Sequence, residues 1–491
     1  MRLLLDTNIL IPLEDSQYPL AESLTNLVRL AHKHNHQLIY HPASEDDINR
    51  DPNSTRREQT LSRLRLYTRL DTRTPCPWNS TDTRENDAAD NEILYALHCD
   101  AAHALITEDR GIHDNARRRG LVDRVFTIQT AEDWLLRLHE EHRVPLPNIE
   151  EVDLYSLTPH LNDPFFDSLR EGYPGFDTWF RNKARDGQRA WIAREQNQAL
   201  GAACIYSQQR NEQITEEGLT LNGTALKLCT FKVGEGARGK KIGELFLKAA
   251  FRYATINRLE NVFIHGDRDQ HHFLFEMLID FGFSHVGTHP GTNSSDSVYL
   301  KRHPSTPPEP TTEPFEYVRS FFPHFRHDAD IKKFIVPIQP VYHDILFPDY
   351  DSQPVKQFQL LQPRNTAGNA IKLAYLCHAQ TRFMTPGDIV LFYRSIDDQA
   401  VTSIGVVESY ETLEDAAIVA SRVKRRTVYS MKEIETMAAR PTRVMLFRHV
   451  KHFTIPLNRD WLVTQQVTRG TPQSITKISD ISFHKILTHG E

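Results

Sequence analysis

Cysteine is scarce in this chain, and long apolar runs are missing. Only five cysteines occur in 491 residues, their number is odd, and no two form a Cys-x-x-Cys pair. This usage argues against a disulfide framework and a cysteine zinc site, and it favours a reducing cytoplasm. No apolar stretch reaches the roughly 18 residues of a membrane span. The N-terminal LLLDTNILIPL is interrupted by Asp6 and no small-residue cleavage site follows it, so we expect no signal peptide and no membrane partner.

A strong charge of either sign is also absent. The chain has 58 basic and 64 acidic side chains, giving a formal net charge of −6. Apolar residues at 39% and charged residues at 25% are typical of globular proteins. An acidic excess lies in residues 1–140 and, to a smaller extent, in residues 141–314. A basic excess lies in residues 315–491, which is a weak indication of a nucleic-acid partner. Histidine is frequent at 24 residues, but no pair has a convincing metal-ligand spacing.

Two connectors divide the chain. HRVPLPNIEEVD at residues 142–153 and HPSTPPEPTTEP at residues 303–314 have compositions that favour extended linkers over a packed core. A length of 491 residues suggests roughly three domains. We predict a multidomain α/β protein with domains at residues 1–140, 150–302 and 315–491.

Acidic residues follow several short apolar runs of the first domain. Asp6 ends RLLLD and Asp109 follows ALIT, while Asp90 is predicted to open the helix DNEILYALHC. Short strands that alternate with helices predict a parallel sheet covered on both faces. The functional crevice of such a sheet lies at the carboxyl ends of its strands, so Asp6 and Asp109 are expected to meet there.

These residues resemble a PIN domain over positions 1 to about 137. The resemblance implies a compact α/β ribonuclease that binds Mg²⁺ or Mn²⁺ and cleaves RNA. Thr7, Asn8 and Thr107 would orient the ligands. Asp47 matches the second ligand best, with Glu45 and Asp46 as alternatives. Asp90 matches the third ligand, with Asp87 as an alternative. The carboxylates carried over by position, as metal ligands and catalytic residues, are Asp6, Asp47, Asp90 and Asp109.

The middle domain presents a strand, a glycine-rich turn and a strong helix in that order. TALKLCTFKV is followed by GEGARGKKIG and then by ELFLKAAFRYA. Glycine-rich turns at helix starts present N–H groups to phosphates. The series resembles the GNAT acetyltransferase fold, a mixed α/β sheet, and implies acetyl-CoA as cofactor. The cofactor-binding residues on this basis are Phe231, Val233, Arg238, Gly239, Lys240, Lys241, Ile242 and Gly243.

The middle domain departs from the GNAT pattern at two places. Lys241 stands where the central glycine usually lies, and its Cβ disfavours a left-handed backbone. Leu278 stands where a tyrosine often protonates the CoA thiol, and Tyr299 is a possible substitute. The candidate acid–base groups are Cys229, Glu235 and His265.

The C-terminal domain shows successive strand patterns. GDIVLFYRS, TSIGVVESYE and RVMLFRHVKHFTIPL resemble a PUA-like β-barrel of the ASCH/EVE kind, which implies binding of RNA or modified nucleotides. Tyr375, Tyr393 and Trp461 are candidates to stack on bases. The predicted RNA contacts are Lys372, Arg382, Arg394, Arg425 and Arg426.

The leading hypothesis is a metal-dependent ribonuclease that uses the C-terminal domain to position RNA, with tRNA as a candidate substrate. PIN and GNAT domains recur in bacterial toxins, so a stress-response role and an antitoxin partner are expected by analogy. An acetyltransferase acting on tRNA or a protein amine is the alternative, with the PIN fold as a docking platform. A reader of CoA or modified bases without turnover is the third hypothesis.

Overall fold

The computed structural model describes residues 1–490 apart from a set of internal segments. Those segments are residues 15–21, 79–84, 140–147, 196–197, 235–236, 238–240, 292–295, 351–365, 368–370, 382, 424–425 and 427–428. The chain divides into two compact units. The first contains residues 1–145 and 412–442, and the second contains residues 146–411 and 443–491.

Strands and helices follow one another along most of the chain. Up to residue 139 they are β1 (Arg2–Leu5), α1 (Thr7–Glu14), α2 (Glu22–Lys33), β2 (Gln37–Tyr40), α3 (Pro42–Asn49), α4 (Ser54–Arg63), β3 (Thr68–Arg69), α5 (Glu85–His98), β4 (Ala104–Ile106), α6 (Arg110–Arg118), β5 (Val125–Phe126) and α7 (Ile128–His139). Up to residue 302 they are β6 (Asn148–Asp153), α8 (Asp167–Gly172), α9 (Phe176–Arg185), β7 (Arg189–Arg194), β8 (Leu200–Arg210), β9 (Thr224–Val233), α10 (Ile242–Ile256), β10 (Asn261–Asp267), α11 (His272–Asp280), β11 (Ser284–Thr288) and β12 (Asp296–Arg302). The remainder are α12 (Pro314–Phe321), β13 (Lys333–Ile338), α13 (Pro340–Leu346), β14 (Thr366–Ala367), β15 (Lys372–Cys377), β16 (Ile389–Arg394), β17 (Ala400–Leu413), α14 (Ala416–Val423), α15 (Met431–Ala438), β18 (Thr442–Asn458), α16 (Arg459–Thr464), β19 (Thr476–Ile478) and α17 (Asp480–Gly490).

The first unit contains a five-stranded sheet in the order β3-β2-β1-β4-β5. All neighbouring strands in this order pair in parallel, which confirms the parallel α/β prediction. The strands are short apolar runs with buried side chains, such as Leu3 to Leu5 in β1 and Ala104 to Ile106 in β4. Because β1 lies in the middle of the order, the residue after it lies at the centre of the carboxyl edge.

Residues 412–442 belong to the first unit although they come late in the chain. The indole of Trp134 in α7 donates a hydrogen bond to the carbonyl of Ala420 in α14 at 3.1 Å. Trp134 is fully buried and stacks on Phe126 with ring centroids 4.6 Å apart. The sequence boundary at residue 315 did not anticipate this grouping, because nothing local marks a segment that packs on a distant part of the chain. The three predicted domain ranges remain predictions.

The second unit holds an eight-stranded sheet in the order β11-β12-β10-β9-β8-β7-β6-β14. Its β9 and β10 run parallel and its other neighbouring strands pair in antiparallel fashion, so the sheet is mixed. Helix α10 buries Leu245, Phe246 and Ala250 in the core on one face of this sheet. A mixed sheet flanked by helices agrees with the α/β class predicted for the middle domain.

A second sheet of this unit has the order β15-β18-β17-β16-β13-β19. Its β13 and β16 are parallel, whereas β16 with β17 and β15 with β18 are antiparallel. Among the described residues β15 and β19 lie at opposite ends of the order, so the predicted closure into a barrel remains a prediction. Across the described chain, no helix is both long enough and apolar enough to cross a membrane.

Candidate functional site

Asp6 lies directly after the central strand of the first unit. Its backbone N–H donates to the carbonyl of Ile106 at 3.1 Å, which continues the pairing of β1 with β4 by one residue. The side chain is 3% exposed because helices and neighbouring strands cover it. The sequence therefore places a nearly dry carboxylate at the middle of the carboxyl edge of the sheet.

Two hydrogen-bond donors hold this carboxylate. The backbone N–H of Thr7 donates to Oδ1 at 2.7 Å, and the hydroxyl of Thr107 donates to Oδ2 at 2.6 Å. Asn8 Nδ2 in turn donates to the Thr107 oxygen at 3.1 Å. Thr7, Asn8 and Thr107, which the sequence named as orienting residues, therefore surround Asp6.

Asp109 joins the same network at the start of α6. Its backbone N–H donates to the Thr107 hydroxyl oxygen at 2.9 Å, and its Oδ1 accepts the N–H of Ile112 at 3.0 Å as a helix cap. A Cβ at Gly111 would lie 3.0 Å from that same Oδ1, so glycine leaves room for the carboxylate. Asp6 and Asp109 therefore share Thr107 as a hydrogen-bond partner at one edge of the sheet.

The structure separates the three adjacent acids of α3 by their partners. Asp47 Oδ2 accepts the hydroxyl of Thr7 at 3.1 Å, which places Asp47 beside Asp6, and its other oxygen pairs with Arg50. Glu45 instead accepts from Tyr40 at 2.9 Å and pairs with Arg69 at 2.8 Å, while Asp46 pairs with Arg73 at 2.6 Å. The geometry favours Asp47 over Glu45 and Asp46 as the second acid of the cluster.

Asp90 lies elsewhere than the sequence predicted. Helix α5 begins at Glu85, so Asp90 lies in its second turn and does not open it. Its side chain is half-buried between Ala89 and Asn91, which are both buried. The prediction failed because the helix extends upstream through ENDAA, a stretch without an apolar stripe to mark it. The side chain of Asp87 lies outside the described residues.

The surroundings of Asp6 disfavour its ionised form. Burial is the main cause that raises the pKa of Asp6 to about 6, and the charges of Asp109 and Asp47 raise it further. The hydrogen bonds from Thr107 and Thr7 act in the opposite direction. Within the described residues, no cationic side chain forms an ion pair with Asp6. A carboxylate held in this way favours a proton or a bound cation.

The donor set fits a hard divalent cation. It consists of carboxylate oxygens, which Mg²⁺ and Mn²⁺ prefer. In the described part of the chain, no three of Asp6, Asp47, Asp90 and Asp109 bring oxygens within 4.8 Å of one another. Mg²⁺ keeps several water ligands in proteins and is often bound by only one or two carboxylates directly. The arrangement therefore fits a partly hydrated ion better than a closed cage.

A second candidate site lies in the eight-stranded sheet, where β9 and β10 part. Their pairing runs from Ala225 with Asn261 to Leu228 with Ile264, and no described pair continues it. Beyond that point β9 still pairs with β8 through Phe231 and Val233. Beyond Leu228 the edge of β9 that faces β10 has no described strand pairing, and this opening between the two strands is here called the cleft.

At the start of α10, Lys241 has a strained backbone conformation and Gly243 is closely packed. Lys241 precedes α10 with φ 58° and ψ 20°, the left-handed conformation that its Cβ disfavours. Its Nζ donates to the carbonyl of Lys372 at 3.1 Å. A Cβ at Gly243 would lie 3.0 Å from Met277 of α11, so glycine permits the close approach of the two helices. Ile242 is buried as the first residue of α10, and Arg238, Gly239 and Lys240 lie outside the described residues.

The candidate acid–base groups of this site differ in accessibility. Tyr299 is buried and packs against Phe275 with ring centroids 4.6 Å apart, which removes it as an accessible proton donor. Burial raises the pKa of the Cys229 thiol, which lies 3.2 Å from the Ser207 hydroxyl. His265 pairs through Nδ1 with Asp296 at 3.0 Å. Glu235 is outside the described residues.

Three of the five predicted RNA-contacting side chains lie close to carboxylates. Lys372 forms an ion pair with Asp280. Arg394 is buried and binds Asp397 through two nitrogens at 2.9 and 2.6 Å. Arg426 lies 3.7 Å from Asp123. Arg382 and Arg425 lie outside the described residues, so an RNA surface in this part of the chain remains a prediction.

Of the stacking candidates, Tyr375 and Tyr393 are buried in the second sheet, so packing accounts for them. Trp461 is half-buried and stacks on His489 at 4.7 Å between ring centroids. Sequence reasoning missed Asp296 and His289 as neighbours of His265. Adjacent strands bring them together, and no spacing along the chain signals that pairing.

No protein-family model and no curated protein matches this chain. Parts of its fold are similar to solved structures. ASCH from Zymomonas mobilis is 15% identical over 33% of this chain and 96% of that chain, with a TM-score of 0.25. The GNAT family N-acetyltransferase YhbS from Escherichia coli in complex with CoA is 15% identical over 33% of this chain and 85% of that chain, with a TM-score of 0.23. A structure described as a bacterial toxin is 14% identical over 27% of this chain and 79% of that chain, with a TM-score of 0.22. At these identities and TM-scores the similarities carry no conclusion about activity, which must be inferred from the residues.

Proposed function

We propose that the first unit is a divalent-metal-dependent ribonuclease. The observation that carries this proposal is the Asp6 carboxylate, which is nearly dry, lacks an ion-pair partner among the described residues and is repelled by Asp47 and Asp109. Burying a charge without an ion-pair partner costs several kcal/mol, and a bound cation would offset that cost for the ionised carboxylate. RNA as substrate rests on the resemblance of residues 1 to 137 to PIN domains.

Asp6, Asp47 and Asp109 would hold Mg²⁺ or Mn²⁺, with Asp90 as a fourth ligand. A metal bound there would supply a water of lowered pKa and would stabilise negative charge on the leaving oxygen of a phosphodiester. Thr107 keeps the Asp6 carboxylate oriented through its hydroxyl, and Asn8 fixes that hydroxyl in turn. Asp109 is held as the cap of α6, so its free oxygen keeps a constant direction.

The test is cleavage of total tRNA and rRNA by the purified full chain in Mg²⁺, Mn²⁺ or EDTA. The double variant Asp6→Asn/Asp109→Asn should lose at least about 1,000-fold of the metal-dependent rate, because two of the charges that bind the metal are gone. Unchanged cleavage by this variant would overturn the proposal.

Three single variants of α3 give matched controls. Asp47→Asn should lower the rate by about 10- to 100-fold, whereas Glu45→Gln and Asp46→Asn should leave it within about threefold. Glu45 and Asp46 are paired with Arg69 and Arg73, so their removal changes surface charge without touching the cluster. Equal losses for all three variants would speak against Asp47 as a ligand.

A second candidate function is binding of acetyl-CoA at the parted strands, with acetyl transfer to an amine. The opening after Leu228 and Ile264, followed by α10, is the observation that favours it. Isothermal calorimetry with acetyl-CoA is the test. Gly239→Glu should abolish binding because a carboxylate would repel the pyrophosphate, while Gly470→Glu, where no atom lies within 4 Å of a Cβ, is the control. Binding without turnover would favour the reader hypothesis.

RNA positioning by residues 315–491, tRNA as substrate and an antitoxin partner complete the proposal. They rest on family resemblance alone. Pull-down of the catalytically inactive Asp6→Asn/Asp109→Asn chain on total RNA measures the first two directly.

A further inference from the structure

His265 lies at the point where β9 and β10 part. It is the first residue of β10 after Ile264, the last one that pairs with β9. Its Nδ1 lies 3.0 Å from Oδ2 of Asp296, the first residue of β12. An ionised carboxylate can only accept, so the imidazole donates Nδ1–H to Asp296, and in the neutral ring Nε2 then carries the lone pair. This pair therefore presents a basic nitrogen beside the cleft.

A second histidine, His289, lies against His265. His289 stacks on it with ring centroids 3.6 Å apart. Burial, followed by repulsion from His265 and Lys227, lowers the pKa of His289 to about 4, so His289 is neutral at pH 7. Lys227 of β9 is itself paired with Glu212 at 2.7 Å.

Two carboxylates lie together at this end of β10 and β12. Asp267 lies opposite Asp296 in the β10–β12 register, and both aspartates raise the pKa of Tyr173, which burial already raises, to about 12. The Lys227 charge is compensated by Glu212. The carboxylates of Asp267 and Asp296 face each other across β10 and β12, and such a pair favours a positively charged ligand, such as a protonated amine.

We propose that His265 is the general base of acyl transfer from an acetyl thioester to a primary amine, and that Asp296 is its positioning residue. The inference rests on the second candidate function, acetyl-CoA binding. His265 Nε2 takes one proton from the ammonium of the acceptor. The amine nitrogen then attacks the thioester carbonyl, so that a C–N bond forms and the C–S bond breaks. The second proton of the nitrogen passes to the departing thiolate, and one proton leaves His265 to solvent.

The test measures thiol release from acetyl-CoA between pH 6 and 9 with three acceptors: a peptide with a free N-terminus, a peptide with one lysine, and spermidine. His265→Gln keeps a donor toward Asp296 and should lower kcat roughly 100-fold. It should also remove the rise of rate with pH that the imidazole causes. Asp296→Asn should lower kcat on the order of tenfold or more, because the imidazole loses its orientation. His285→Gln changes an exposed histidine of β11 and should match the unmodified chain.

Calorimetry with acetyl-CoA separates the two ways in which the inference can fail. If the unmodified chain binds no acetyl-CoA, the candidate function itself is wrong and the inference fails with it. If acetyl-CoA binds but no acceptor releases thiol, or His265→Gln stays within threefold with the same pH profile, the assignment of His265 is overturned. Loss of rate with unchanged acetyl-CoA affinity and an altered pH profile supports it, because a purely structural role would not change the profile selectively.

Discussion

Asp6 of the first unit and Arg448 of the second unit are both buried charged residues, but their partners differ. In the first, Asp6 is 3% exposed and accepts only hydrogen bonds, while Asp47 and Asp109 repel it. In the second, the side chain of Arg448 is 1% exposed and contacts Asp280 through both its carbonyl and its carboxylate at 3.1 Å. A buried charge is tolerable only with partners. Arg448 has a carboxylate partner in its own chain, whereas Asp6 has no cationic partner among the described residues. We interpret this as the difference between a structural ion pair and the proposed metal site.

The largest expected effect comes from breaking the paired network. Arg448→Leu removes the guanidinium that Asp280 contacts and that lies 5.2 Å from the ring centroids of Phe281 and Phe315. We expect the free energy of unfolding to fall by about 3 kcal/mol, since the carbonyl of Asp280 loses a buried hydrogen-bond donor and the two phenylalanine rings lose a packed side chain. Urea unfolding measures it, with the exposed Arg469→Leu as control. A loss below about 1 kcal/mol would contradict the structural role of this pair.

Removing the charge of Asp6 is expected to raise the free energy of unfolding, because no cationic side chain among the described residues pairs with it. In EDTA at pH 7.5, Asp6→Asn should raise the free energy of unfolding by about 1–3 kcal/mol because it removes a desolvated charge. Mg²⁺ should stabilise the unmodified chain but not the variant. Glu58→Gln, an exposed site on α4, is the control. A destabilised variant in EDTA would show that the Asp6 charge is compensated by the chain itself.

The same carboxylate predicts a pH dependence. The folded-state pKa of about 6 lies above the unfolded value near 3.9, so the folded chain binds the proton more tightly. The stability contributed by this protonation is fully present below about pH 4 and is lost as pH rises through 6. Relative to Asp6→Asn, the metal-free chain should gain about 1 kcal/mol between pH 7.5 and 5.0. Urea unfolding at the two pH values checks the sign.

A smaller effect is expected when one hydrogen bond of the acidic cluster is removed. Thr107→Val deletes the hydroxyl that donates to Asp6 at 2.6 Å. The pKa of Asp6 should rise further, because this hydrogen bond favours the ionised form. Stability in EDTA should fall by about 1–2 kcal/mol. NMR titration of the Asp6 carboxyl carbon measures the pKa, and Thr127→Val on the strand end beyond β5 serves as a comparison. A lowered pKa would refute this interpretation of the network.

The smallest effect concerns an exposed ion pair of the same unit. Arg73 pairs with Asp46 and Glu92 at 2.6 and 2.5 Å, but half of its side chain is in solvent. Arg73→Gln should change the free energy of unfolding by less than about 1 kcal/mol, because water and salt screen such pairs. Thermal unfolding at low and high salt measures it. A larger loss would mean that solvent exposure does not weaken the Arg73 ion pairs relative to the buried pair of Arg448.

Local patterns determined much of this protein. Apolar runs such as RLLLD and ALIT predicted short buried strands, because hydrophobic periodicity acts through neighbouring residues. Their alternation with helices predicted a parallel sheet, and residues that follow such strands lie at its carboxyl edge, as Asp6 and Asp109 do. TALKLCTFKV and ELFLKAAFRYA specified β9 and α10 for the same reason. The start of α5 at Glu85 was not predicted, because ENDAA has no apolar stripe.

Only the tertiary structure decided what meets across distance. Adjacent helical residues point about 100° apart, so the choice of Asp47 over Glu45 and Asp46 depends on where Thr7, Arg69 and Arg73 lie. The pairing of β10 with β12 brings Asp296 to His265, and packing places residues 412–442 in the first unit. The left-handed backbone of Lys241 is also an effect of tertiary packing, because the surrounding structure imposes a conformation that its own Cβ disfavours. Sequence supplied the chemical groups, and non-local packing decided their partners.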